Sequence, residues 1–161
     1  MKTIIIVVYV LLVFIDINAQ TLNNFHLKDV ENKSRSYSEL KGEKLTVIDF
    51  WASWCEPCKK AIPELNKIYE LYKAKGVQII GINCDGPRSV SKVAPLVKSL
   101  QIIYPVLMDI NSEVMNNLNL TALPTLILVN GKGKVVWIHE GFVSGDTENI
   151  INEIEKNLEV R

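Results

Sequence analysis

Charge of one sign is missing from this chain: 18 Lys and Arg stand against 18 Asp and Glu. Without a basic surplus there is no electrostatic footprint for nucleic acid or for an anionic membrane surface. Histidine is nearly absent, limited to His26 and His139, and there are three cysteines, Cys55, Cys58 and Cys84. These do not make up the tetrahedral ligand set of a structural zinc site, which usually takes a second CxxC or paired histidines. Copper handling would add a Met or His cluster, whereas Met108 and Met115 lie far from the cysteine pair in sequence. No resident metal is therefore expected. Internal repeats and low-complexity tracts are also lacking. What remains, 161 residues with 48% apolar and 22% charged, is ordinary globular composition for one domain.

At the N-terminus, Lys2 precedes an unbroken apolar run over positions 3–15 and a short polar stretch, 16–20, containing Ala19. The run falls short of the roughly 20 residues needed to cross a bilayer. That order predicts a secretory signal peptide at 1–19, cleaved after Ala19, with a retained membrane anchor as the alternative. Residues 20–161 then form the folded domain. Export would place it in the periplasm or otherwise outside the cytosol, where disulfides persist.

After the leader, strand-like and helix-like patterns alternate. Positions 25–30 read as an entry strand, and NKSRSYSELKG as loop with one helical turn. LTVIDFW (45–51) and VQIIGIN (77–83) are compact β-branched apolar runs, expected as buried strands. Between them, Ile62, Leu65, Ile68, Tyr69 and Tyr72 recur at helical spacing before Gly76, which predicts one helix kinked at Pro63. A second helix is expected over 89–100, strand pieces at 105–108 and 125–129, and a short helical stretch at 112–118. NGKG marks a hairpin between LILV and VVWIH, and a last helix is expected over 146–158, with Asp146 as its N-cap. The order βαβ, then ββα, predicts an α/β fold with a central mixed sheet flanked by helices.

Two of the three cysteines sit in FWASWCEPCKK (50–60), in the turn between the first core strand and the first long helix. Ligands and chemistry gather at such turns in open α/β sheets. A static staple is a poor use of the pair, since so short a loop removes little unfolded-state entropy. Thiol-disulfide exchange needs one exposed sulfur with a stabilised thiolate and a second sulfur able to reach it. Cys55, at the helix start, would point toward unpaired N–H groups and the positive end of the helix dipole, which lowers a thiol pKa. Cys58 would lie deeper on the same face. Pro57 suits the first turn, where its missing N–H costs nothing. Glu56 acts the other way, since an adjacent carboxylate disfavours a second negative charge. A modestly lowered Cys55 pKa, fitting a reductant, is the expectation.

TVIDFWASWCEPCKKAIPEL resembles the active-site segment of the thioredoxin superfamily, and WCEPC behind a leader resembles its TlpA/ResA-like branch of exported thiol-disulfide oxidoreductases. Pro63, TALPTLILVNGKGKVV and EGFVSGDTENIINEIEKNL resemble further family features in the same order. The resemblance implies a thioredoxin fold with a TlpA-like insertion. It implies Cys55 as nucleophile, Cys58 as resolving thiol, and a cis Leu123-Pro124 bond where the Leu123 backbone meets an extended substrate. Trp54 is expected to pack over the disulfide and Trp51 to lie in the core. Asp49 is either a strand acid paired to a lysine or, as the resemblance implies, a buried carboxylate that moves the Cys58 proton. Asp85 lies near where many branch members carry a glutamate, without being clearly equivalent. Cys84 is expected as a small core residue, with a third redox thiol as the alternative. His26 and His139 read as surface or rim residues, since neither has a nearby pattern of acid and nucleophile. The implied partners are disulfide-bearing proteins and a membrane thiol-disulfide electron donor, for a monomer without bound cofactor, with cytochrome c maturation as a candidate pathway. Disulfide oxidation or isomerisation and a non-enzymatic copper-binding module are the alternatives.

Overall fold

The computed structural model describes residues 20–159, so the expected leader lies outside the described residues. The chain opens with β1 (His26–Asp29) and β2 (Ser34–Ser36), then α1 (Tyr37–Leu40) and β3 (Leu45–Trp51). Next come α2 (Glu56–Tyr72), β4 (Val77–Asn83), α3 (Val93–Ser99) and β5 (Val106–Met108). It closes with α4 (Glu113–Asn117), β6 (Thr125–Asn130), β7 (Val135–Glu140) and α5 (Asp146–Glu159). The strands form one sheet in the order β2-β1-β5-β4-β3-β6-β7. The sheet is mixed: β3 pairs parallel with β4 and antiparallel with β6, and β4 pairs parallel with β5. The helix-strand unit α3–β5, placed between the long crossover helix and the final hairpin, fits the insertion that the resemblance implies.

All seven residues of β3 are buried, because both of its edges are paired and both of its faces are covered. That is why LTVIDFW reads as a nearly continuous apolar run. On one face Ile48, Phe50, Ile80 and Ile82 pack with Leu40, Val114 and Leu118. On the other, Val47, Ile79, Leu126 and Leu128 meet Leu65 and Ile68 of α2 and Ile150 and Ile154 of α5. A third cluster, at the sheet end where β3 runs into α2, joins Trp51, Cys55, Cys58, Ile62, Val93 and Val106.

Several expectations need correction. β2 lay inside the stretch read as loop: Ser-Arg-Ser carries no apolar alternation and pairs with β1 alone, at the edge of the sheet. The turn after it is a capping box, with the Glu39 amide donating to Ser36 Oγ at 3.3 Å and the Ser36 amide to Glu39 Oε2 at 3.0 Å. As expected, by contrast, one helix, α2, runs through Pro63. The second helix begins in α form only at Val93, after a 3₁₀ turn, which puts Pro95 in the first helical turn where no bond is lost. Asp146 is not a cap for its own helix. Its carboxylate turns back to accept the Val143 amide at 2.7 Å and lies 3.2 Å from His139 Nε2.

The cap that sequence reading missed is Asp109, behind β5. Ser112 takes a left-handed conformation and offers no side-chain cap. Instead the fully buried Asp109 carboxylate accepts the amides of Glu113, Val114 and Met115 at 2.8 to 3.0 Å. Asp109→Ala should therefore destabilise the protein by about 2 kcal/mol, read as a lower urea midpoint with unchanged m-value.

Candidate redox site

The end of β3 aims the chain at the head of α2. Cys55 is the N-cap of α2, in extended conformation, and its Sγ accepts the Cys58 amide at 3.3 Å. The two cysteines are joined as a disulfide. Glu56 and Pro57 fill the first two helical positions, as Pro57 favours. Glu56 is exposed and bridged to Lys59 at 2.7 Å, so the charge expected to work against a Cys55 thiolate is partly neutralised by its own neighbour. Contrary to the expectation of an exposed sulfur, Cys55 is only 4% exposed, and Cys58 is fully buried. Only an edge of the pair meets solvent.

Trp51 lies in the core as expected. Trp54 is 66% exposed and lines a groove with Ser53, Lys92, Pro95 and Leu96 at the N-terminal end of α3. Leu123 is one of the partly buried residues that pack against the pair's cluster, with Leu96 and Leu100 among the others. The Leu123-Pro124 bond is cis. Among the described residues no backbone hydrogen bond engages the Leu123 N–H or C=O.

Ser53 is held from below. The fully buried Asp85 accepts the Ser53 amide at 2.7 Å, the Ser53 hydroxyl at 2.6 Å and Asn83 Nδ2 at 2.9 Å. This brace fixes the turn that carries Trp54 and Cys55. Sequence reading left Asp85 without a role, since its partner stands 32 residues earlier and no spacing announces the contact.

Asp49 lies between Val47 and Trp51 in the strand's alternation, and thus on the face that carries α2 and the cysteine pair. Its side chain is fully buried. Tyr104 Oη donates to Oδ2 at 3.4 Å, and Oδ1 has no hydrogen-bond partner. Among the described residues no lysine pairs with it, which removes the ion-pair alternative. Burial pushes its pKa up to about 7, with the Tyr104 hydrogen bond opposing. Cys84 is half-buried and packs with the opposite face, in the cluster of Ile82. Burial, reinforced by the Asp109, Asp49 and Asp85 charges, pushes its thiol up to about 12. Both facts fit a packing role.

The chain matches the model of the AhpC/TSA family over residues 19–138. It belongs to that family. Curated relatives include the thiol-disulfide oxidoreductase ResA of Bacillus subtilis, 36% identical over 130 residues that span 81% of this chain and 69% of the relative. ResA of Halalkalibacterium halodurans is 35% identical over 130 residues, covering 81% and 70%. Among solved structures, a candidate DsbE-type thiol:disulfide interchange protein of Chlorobium tepidum superposes with a TM-score of 0.79 at 27% identity, covering 87% of this chain and 96% of that one. The resemblance drawn from WCEPC and its companion motifs is thus borne out at the level of family and fold.

For this AhpC/TSA family member, a carboxyl held at about 7 rather than 3.8 binds a proton in the folded state that the unfolded chain has released. Folding stability should therefore fall as pH rises from 4 to 7, by a total on the order of 4 kcal/mol, and stay level above. Denaturant unfolding of the oxidised protein across that range checks this. Asp49→Asn should flatten the slope and be the more stable protein at pH 8.

Proposed function

We propose that this chain is an exported thiol-disulfide oxidoreductase that reduces disulfides in other proteins outside the cytosol. The observation that carries the reading is the Cys55–Cys58 pair closed at the N-terminus of α2, with the Cys55 sulfur accepting a helix amide and a buried carboxyl on the same face. The ResA relatives support the same chemistry.

In the reduced form, the Cys55 thiolate attacks one sulfur of a substrate disulfide. That bond breaks, the other substrate sulfur leaves as a thiolate, and a mixed disulfide forms on Cys55. Cys58 gives its proton to Asp49 and attacks Cys55 Sγ, releasing the second substrate thiolate and closing Cys55–Cys58. Two electrons have passed from the pair to the substrate, and a membrane thiol-disulfide donor restores them. Residues at the N-terminal end of a helix favour the thiolate, which makes Cys55 rather than Cys58 the first attacker. Glu56 and Pro57 present the outer face of the pair. The free backbone of Leu123, beside Pro124, offers hydrogen bonds to an extended substrate segment, and Trp54 offers it an apolar surface. The scheme uses no bound cofactor or metal and works as a monomer. The apolar leader at 1–19 supports export, either cleaved or retained as an anchor. Reduction of the apocytochrome c disulfide to its thiols is the candidate pathway.

The deciding measurement is the equilibrium potential of the Cys55–Cys58 pair against a thiol buffer. A value near that of thioredoxin, about −270 mV, is expected; one near the strong oxidant range, about −120 mV, would assign the same residues to disulfide formation. Cys58→Ser should accumulate a mixed disulfide with substrate, seen as a mass adduct on Cys55, while Cys55→Ser should form none. Trp54→Ala should raise KM for a protein disulfide several-fold and leave the potential within about 15 mV.

A further inference from the structure

We propose that Tyr104 is the positioning residue that sets proton transfer between Asp49 and Cys58, reaching Asp49 through a gap that Gly81 leaves in β4. This rests on the proton-transfer reading of Asp49 above. Asp49 and Gly81 are direct partners in the β3–β4 ladder. A Cβ on Gly81 would stand 3.2 Å from Tyr104 Cε2, 3.3 Å from Val106 Cγ2 and 3.3 Å from Trp51 Nε1, so the missing side chain is the space the tyrosine ring occupies. Gly81 has no left-handed conformation to explain its presence. Its amide donates to the Pro105 carbonyl at 2.9 Å, which ties the Tyr104–Pro105 backbone to the strand. On its other side the Tyr104 ring meets Tyr69 of α2 edge-on, centroids 6.3 Å apart, so the same helix that begins at the cysteine pair holds the tyrosine in place.

Tyr104 Oη is the only side-chain donor to Asp49 among the described residues. A hydroxyl that donates to a carboxylate favours its charged form and so works against burial. Burial and the Asp49 charge hold the Tyr104 hydroxyl well above its ordinary value, so it keeps its proton and remains a donor through the working pH range. The other titratable groups around Asp49 are Cys84 at the end of β4, with Asp85 and Asp109 beyond it, and Cys55 and Cys58 of α2 once reduced. β6 and α5 turn apolar Leu126, Ile150 and Ile154 toward this core. In the step itself the Cys58 proton passes to the Asp49 carboxylate, Cys58 attacks Cys55 Sγ, and the bond from Cys55 to the substrate sulfur breaks. Tyr104 neither gains nor loses a proton. Its hydrogen bond sets how much of Asp49 is ionised and ready to accept one.

The test uses Tyr104→Phe, which keeps the ring, and Gly81→Ala, which crowds it. In the oxidised protein, where neither Cys55 nor Cys58 titrates, the Asp49 carboxyl midpoint is followed by 13C NMR. Both variants should raise it by at least about half a pH unit. Resolution is read separately, as release of thionitrobenzoate from its mixed disulfide with Cys55. At pH 7 it should slow at least about twofold, with its pH profile moved to higher pH, while alkylation of Cys55 in the reduced protein keeps its rate. An unmoved Asp49 midpoint in Tyr104→Phe overturns the proposal. Asp49→Asn separates the two levels: if it leaves resolution unchanged, the proton-transfer reading itself fails. If it slows resolution while Tyr104→Phe behaves as the parent, only the role of Tyr104 is lost.

Discussion

A strand paired on both edges and covered on both faces leaves no water for its side chains, and β3 is such a strand. Its parallel partner β4 and antiparallel partner β6 account for its backbone, so its seven residues are spent on packing. The one ionisable member, Asp49, is there at a cost, because among the described residues no cation pairs with it. The same pairing dictates where the strand ends, and therefore where the cysteine pair begins. The buried acid and the disulfide are two consequences of one placement.

Around that strand the molecule divides its polar groups by task. Asp85 and Asp109 are also buried acids, yet each is satisfied by amide or hydroxyl donors and serves as a brace: Asp85 for the Ser53 turn, Asp109 for α4. Asp49 has one long hydrogen bond and an oxygen with none. Burial with so few donors is what pushes the Asp49 carboxyl up to about 7. The difference in donors separates Asp49 from the two acids that hold loops. The cysteine pair shows a similar division, with an N-capping sulfur at the edge of solvent and its partner sealed below it.

The exposed part of the site is not the cysteine itself. Cys55 is nearly covered, while Trp54 stands out beside the groove against α3, and Leu123 leaves its backbone unpaired on the other side. The α3–β5 unit lines one wall of that groove, and the turn between its helix and strand brings Tyr104 into the core.

What the sequence determined by itself is whatever depends on neighbours along the chain. β3 and β4 were legible to the residue, because apolar β-branched runs need no partner to be recognised, and so was the helix from the CxxC to Gly76, whose apolar spacing repeats over several turns. The cysteine pair, its place at a helix start and the kinship of WCEPC were legible for the same reason. β2 was not, since three polar residues at a sheet edge have no pattern apart from the strand they pair with. Tertiary structure alone decided which charges meet. Asp85 finds Ser53, His139 finds Asp146, and Tyr104 finds Asp49 across 55 residues. Such contacts depend on how strands are ordered in the sheet and on a vacancy like Gly81, and no local spacing encodes either.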